Sequence, residues 1–156
     1  VHRHGKRPLP PPRGPFLIIG VMNLLMDRHH RRVAVAGCLR IFAIGVGRDG
    51  FTWSGVRQIT AKREWPDWTP PEQMLRRRPD LPRHMPGGPD NPLGARALYL
   101  FQNGQDTLYR IHGTTDPMSI GHNASSGCIR MVNQDVVELY RRVPIGTRVV
   151  VLAEGV

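Results

Sequence analysis

The chain predicts a mainly β domain with one clear helix, and three features predict it. Runs of strand composition, "LRIFAIGVG" (39–47), "ALYLF" (97–101), "TLYRIHG" (107–113) and "TRVVVL" (147–152), recur between turn-forming residues. Asn103-Gly104 joins two of them, and that dipeptide is the strongest short signal for a hairpin. Helical patterning is clear over 133–142 alone. The 156 residues suffice for one domain with a real core, and 17 glycines with 15 prolines imply many irregular connections.

Taken in order, residues 1–15, "VHRHGKRPLPPPRGP", are basic and proline-rich and are expected to form no packed element. The apolar run "FLIIGVMNLLM" (16–26) is too short to span a bilayer as a helix. Basic residues before it give it the outline of a signal peptide, with a buried strand or hairpin as the alternative. "VAGC" (35–38) has the form of a lipoprotein cleavage box ending in Cys38, but Arg28, Arg31 and Arg32 interrupt its apolar approach. From Leu39 onward the pattern is that of a folded domain, so the division reads as a basic segment, 1–38, and a domain, 39–156. A strand is expected near Val56–Lys62. The stretch 66–95 carries eight prolines, and a loop that long inside a compact domain is usually functional or a lid. In "NQDVVELYRR" (133–142), Asn133 can cap the helix, Asp135 lies near its positive end, and Val136, Val137 and Tyr140 form its apolar side.

Charge narrows the function. Residues 1–40 hold eight Lys/Arg against one acid, Asp27, whereas residues 41–156 hold 14 against 11. The basic excess belongs to the N-terminal segment, and the near-balanced body argues against a nucleic-acid-binding core. Cys38 and Cys128 are too few and too far apart for a disulfide framework or a C-x-x-C metal site, though the two could still pair; no metal or organic cofactor is needed where thiol, imidazole and backbone amides do the chemistry. Of seven histidines, only His112 and His122 lie near Cys128 in sequence.

Cys128 sits in "SSGCIRM" (125–131), among small residues. A cysteine nucleophile needs a base, a lowered pKa and donors for an oxyanion. Gly127 permits a tight turn, the helix that follows offers its positive end to a thiolate, and His112 closes a strand as the best candidate base. On these grounds a Cys–His pair competes with a cysteine that merely fills space.

The stretch "IHGTTDPMSIGHNASSGCIRM" (111–131) resembles the signature of the YkuD-type L,D-transpeptidases, in the branch of ErfK and YbiS. His112, Gly113, Thr114, Ser119, Ile120, Gly121, Ser125, Gly127, Cys128 and Arg130 fall on that signature, and "GVGRDGFTWSG", "WPDWTPP" and "GGPDNPLGARALYL" extend the likeness upstream. The resemblance implies a β-sandwich or barrel-like catalytic domain acting on peptidoglycan stem peptides. In it Cys128 is the nucleophile and His112 the general acid/base. Backbone amides of Gly127 and Cys128, within the Ser126–Gly127 loop, make the oxyanion site. Arg130, Gly113, Thr114 and Ser125 bind substrate, with a loop brace as the other role for Arg130. The acceptor is another stem, a lipoprotein lysine or water, so L,D-carboxypeptidase activity is one alternative and a silent peptidoglycan-binding module another. Carbapenems are the covalent inhibitors it implies, and the periplasm or cell envelope its location. Two departures stand out. Ser126 replaces a frequent histidine, leaving His122 as an extra one on the surface. Residues 15–38 lack the alternating strand that opens the family's domain, which would leave the sheet an unpaired edge.

Overall fold

A computed structural model describes residues 16–20, 32–35 and 41–152 of the chain. Ten strands and two α-helices follow one another as β1 (Phe16–Gly20), β2 (Arg32–Val35), β3 (Ile41–Ala43), β4 (Val46–Gly47), β5 (Gly55–Glu64), α1 (Glu72–Arg77), β6 (Arg96–Gln102), β7 (Gln105–His112), β8 (Asn123–Ser125), β9 (Ile129–Arg130), α2 (Asn133–Arg142) and β10 (Arg148–Val151), with a short 3-10 helix at Pro117–Ser119 between β7 and β8. Eight strands form one sheet in the order β3-β2-β1-β10-β5-β6-β7-β9, while β4 and β8 pair in parallel apart from it. Gly45, just beyond β3 at one edge, bridges antiparallel to Arg130 of β9 at the other. The sheet therefore curls until its two edges meet, and the expected mainly β, barrel-like architecture stands.

The sheet keeps an opening hairpin, the alternative weighed for the apolar run, although the alternating pattern is absent from 15–38. β1 and β2 pair antiparallel from Leu17–Val35 to Gly20–Arg32, and β1 runs parallel to β10 with Phe16 opposite Arg148. The apolar "FLIIG" does not alternate, and parallel pairing is the kind that accompanies continuous apolar runs. Cys38, the cleavage-box reading at 35–38 and most of the 1–31 stretch lie outside the described residues.

The central hairpin forms where Asn103-Gly104 places it: both residues have positive φ (52° and 75°), as a primed two-residue turn requires. The run 39–47 is split, because the chain leaves β3 at Ile44–Gly45 and starts β4 at Val46. The core gathers Ile59 of β5, Leu98 and Leu100 of β6, Ile111 of β7, Ile129 of β9, Val149 of β10, and Val136, Leu139 and Val143 from or beside α2. Leu139 is fully buried, whereas Val137 and Tyr140 are half-buried, so the helix faces inward along Val136–Leu139–Val143. Lys62 of β5 closes the end of α2. Its ammonium donates to the carbonyls of Tyr140 and Val143 (2.8 Å for the latter) and stands 4.1 Å from the centre of the Tyr140 ring. Burial lowers its pKa from the usual lysine value.

The stretch 66–95 is an ordered excursion. It carries α1 and an antiparallel bridge between Trp68 and Met85. Asn91, buried, donates from its amide to the carbonyls of Met85 and Pro86 and accepts the Leu93 N–H. Among the described residues no helix is long and apolar enough to cross a membrane.

Candidate active site

Parallel pairing of β7 with β9 sets Ile111 opposite Ile129 and His112 opposite Arg130. Ile111 and Ile129 point into the core, so alternation turns His112 and Arg130 to the other face. His112 is 4% exposed. Its Nδ1 lies 2.5 Å from the Gly113 carbonyl. A carbonyl can only accept, so Nδ1 carries the proton and Nε2 keeps its lone pair. Burial, with a smaller push from the positive charges of Arg130 and Arg110, lowers the imidazole's pKa to about 4 against the pull of the Gly113 carbonyl. At neutral pH the ring is an uncharged base.

Gly113 is held from behind. Asn133 was expected to cap α2, but Val132 occupies the cap position and makes no side-chain capping bond. Asn133 instead accepts the Ala95 N–H at 3.0 Å, and its Oδ1 fills the space where a Cβ on Gly94 or Gly113 would go. The helix start thus fixes the backbone that fixes the histidine. Thr114 is buried, and its hydroxyl accepts the Asp116 N–H at 3.0 Å, shaping the turn beyond Gly113.

Cys128 is half-buried and is the one free cysteine among the described residues. Its Sγ lies 3.8 Å from the Leu108 carbonyl. Burial raises its pKa. The Arg110 N–H, which hydrogen-bonds the sulfur, and the charges of Arg110 and Arg130 act in the opposite direction. The sequence suggested a lowered thiol pKa; the structure shows a resting thiol in which desolvation outweighs the nearby cations. Leu108 O and Arg110 N–H, two residues apart, point the same way along a strand, so the sulfur occupies the edge of β7 where a ladder partner would otherwise sit.

That edge is bent. Pairing of β6 with β7 shifts register between Tyr99–Arg110 and Phe101–Asp106, and Leu108 has φ +62° while 58% exposed. A non-glycine residue holds a left-handed backbone only when its surroundings over-determine it. Here Asp106 accepts the Leu108 N–H (2.8 Å), Thr107 donates to the Leu100 carbonyl (2.6 Å), and Arg110 grips both oxygens of Asp106 at 2.6 and 2.8 Å.

The turn that carries Cys128 is closed from within. Ser125, buried, donates to the Cys128 carbonyl at 2.5 Å and accepts the Gly127 N–H at 3.2 Å. Its hydroxyl is engaged by the loop, and so is the Gly127 amide. The N–H groups of Ser126 and Cys128 have no hydrogen-bond partner among the described residues. Gly127 has φ +110°, and a Cβ there would strike the Tyr109 ring. Tyr109 stacks on Trp53 (centroids 5.2 Å, 13° between planes), and the Trp53 indole donates to the Gly127 carbonyl at 2.9 Å. Sequence reading missed Trp53 and Tyr109; their places beside "GFTWSG" and "LYRIHG" were the available signal. The half-buried Arg130 pairs by its backbone with Gly45 in both directions, at 2.8 and 2.9 Å, while its guanidinium makes no hydrogen bond or ion pair among the described residues. His122 is exposed. No group of three His, Cys, Asp or Glu able to hold a metal occurs among the described residues.

Residues 26–151 match the family profile "L,D-transpeptidase catalytic domain", YkuD. A relative from Fuscovulum blasticum, named for an L,D-transpeptidase in the ATP synthase subunits region, is 39% identical over 90% of this chain and 74% of its own. The Escherichia coli ErfK/SrfK protein, also named for that activity, is 38% identical over 87% of this chain, which spans only 44% of it. The crystal structure of L,D-transpeptidase 3 from Mycobacterium tuberculosis with a faropenem-derived adduct shares the fold, with a TM-score of 0.59 at 18% identity over 90% of this chain and 61% of that one.

Proposed function

Because the chain belongs to the YkuD L,D-transpeptidase catalytic-domain family, we propose that it transfers acyl groups between peptidoglycan stem peptides through a thioester on Cys128. The observation that carries this reading is an enclosed, uncharged imidazole, held by Gly113 at the end of β7, on the same strand whose edge at Leu108 and Arg110 holds the Cys128 sulfur. In the first step His112 Nε2 takes the thiol proton as the sulfur attacks the carbonyl carbon of an L,D peptide bond. Neutral thiol and neutral base favour removal of that proton during attack over a resting ion pair. The oxyanion meets the N–H of Cys128 and, once Ser125 yields it, that of Gly127. Collapse expels the terminal D-amino acid, whose nitrogen receives the proton from His112. The thioester then passes to an acceptor amine, which gives its proton to His112, and the thiolate is released.

Arg130, its guanidinium uncommitted, orients the substrate, and Gly113, Thr114 and Ser125 shape the walls it enters. The acceptor is a diamino-acid side chain on a second stem, a lipoprotein lysine or water. Since stem peptides lie outside the cytoplasmic membrane, the site of action is the cell envelope. A neighbour that carries a faropenem-derived adduct supports β-lactam acylation of Cys128 as well. Intact mass after mixing with a carbapenem tests the reading. One adduct, lost in Cys128→Ala, is expected; no adduct on a sample folded by circular dichroism would overturn it in favour of a silent binding module.

A further inference from the structure

Three consecutive arginines, Arg76, Arg77 and Arg78, close and follow α1. Their neighbours treat them differently. Arg76 faces Glu72 at 3.8 Å and Arg78 pairs with Asp80 at 2.6 Å. Arg77 has no acidic partner among the described residues; its guanidinium carbon stands 5.0 Å from the centre of the Phe51 ring. Arg48 stands 4.6 Å from the same centre and also lacks an ion pair there, although Asp49 is its neighbour in sequence. Each cation gains from the ring, but two like charges gathered on one phenyl repel each other. Neither guanidinium has a hydrogen-bond partner among the described residues, and a carboxylate is the planar anion that guanidinium N–H groups match.

The ring lies beside the nucleophile loop. Phe51 N–H closes a turn on the Arg48 carbonyl at 2.9 Å, and the Arg48 N–H donates to Ser125 at 3.0 Å. The Phe51 carbonyl fills the space beside Gly47 and would lie 3.2 Å from a Cβ on Gly127. Arg48 therefore comes from a turn bonded to the Cys128 loop, and Arg77 reaches that turn from the 66–95 excursion.

We infer that Arg48 and Arg77 form a carboxylate-binding subsite for the peptide substrate. The inference rests on the function proposed above, because a stem peptide that ends in a D-amino acid presents a carboxylate on that residue, and a second one where its diamino residue is a dicarboxylic acid. An anion between the two guanidiniums relieves their repulsion and draws the excursion toward the nucleophile loop. Both carboxylates share the chemistry, and selective amidation separates them.

The test uses the full chain with a synthetic stem tetrapeptide, the same peptide amidated at its terminal D-residue, and one amidated on the diamino acid. Release of the D-amino acid or its amide is followed for wild type, Arg48→Gln, Arg77→Gln and the double variant. The wild type is expected to disfavour one amidated peptide. Each single variant is expected to raise KM about tenfold for the free-carboxylate peptide, the size of one lost charge-assisted contact, and to narrow that preference. Iodoacetamide alkylation of Cys128 checks that the thiol and its loop are intact. Equal use of all three peptides by the wild type, or an undiminished preference in the double variant, would overturn the subsite and leave the transferase reading standing. No turnover of any peptide by a wild type whose Cys128 still alkylates would overturn that reading and the subsite with it.

Discussion

The two ends of β7 do different work by different means. At its C-terminal end, His112 is enclosed, paired in regular register with Arg130, and backed by Gly113 and Asn133. Four residues upstream the same strand is bulged, exposed and left-handed at Leu108, and side-chain bonds from Asp106, Thr107 and Arg110 hold it there. The imidazole is thus positioned by packing and the surroundings of the thiol by polar contacts near solvent. Packing tolerates little change without cost to the fold. A polar clamp on an exposed bulge can loosen while the fold persists, so the two ends should separate under mutation.

The largest effect is expected at the packed end. His112→Gln should slow carbapenem acylation of Cys128 on the order of 10²–10⁴-fold, the range for removing a general base; an unchanged rate in stopped-flow measurements would exclude His112 as the base. The same residue predicts a pH dependence of stability. Its pKa is about 4 in the folded chain against an ordinary 6.5, so the folded state resists protonation and the unfolded state does not. The stabilisation is complete above pH 6.5 and disappears as pH falls through 4, a change of about 3 kcal/mol. Guanidinium unfolding at pH 7 and pH 4 should show a loss in wild type that exceeds the loss in His112→Gln by that amount; equal losses would mean the imidazole is not held neutral.

At the bulged end the effects are smaller. Asp106→Ala should slow acylation about tenfold through misplacement of the Leu108 and Arg110 backbone groups, with under about 1 kcal/mol lost in stability. A variant that unfolds instead would place Asp106 with the packed end and erase the contrast. Smallest of all, Leu108→Gly should raise stability by about 0.5 kcal/mol, since relief of the left-handed strain slightly exceeds the added chain entropy; a lower midpoint in denaturant would show that the bulge is unstrained.

Local chemistry made much of this legible. Asn103-Gly104 marked the central hairpin, and the spacing from His112 to Arg130 marked the loop that carries the thiol. Longer-range features left less trace. Nothing in "FLIIG" tells that its partner is the last strand, because strand pairing depends on the whole sheet. Asn133 was misread as a cap, since the residue type is the same whether its amide turns to its own helix or, as here, to Ala95. The direction of the thiol's pKa was hidden for a related reason. The flanking glycine and serines suggest exposure, whereas the desolvation that raises it comes from the folded surroundings.

The position of β10 bears on how the chain reaches this state. It lies between β1 and β5, bonded to Phe16–Ile19 on one side and Gly55–Gln58 on the other. During synthesis the first three strands and the β5–β7 meander emerge as separate pieces, with the wedge that unites them arriving last. Contacts between such distant positions bring a heavy loop-closure entropy and slow the search. A sheet joined through such a strand is expected to form more slowly than one of the same size built from successive hairpins.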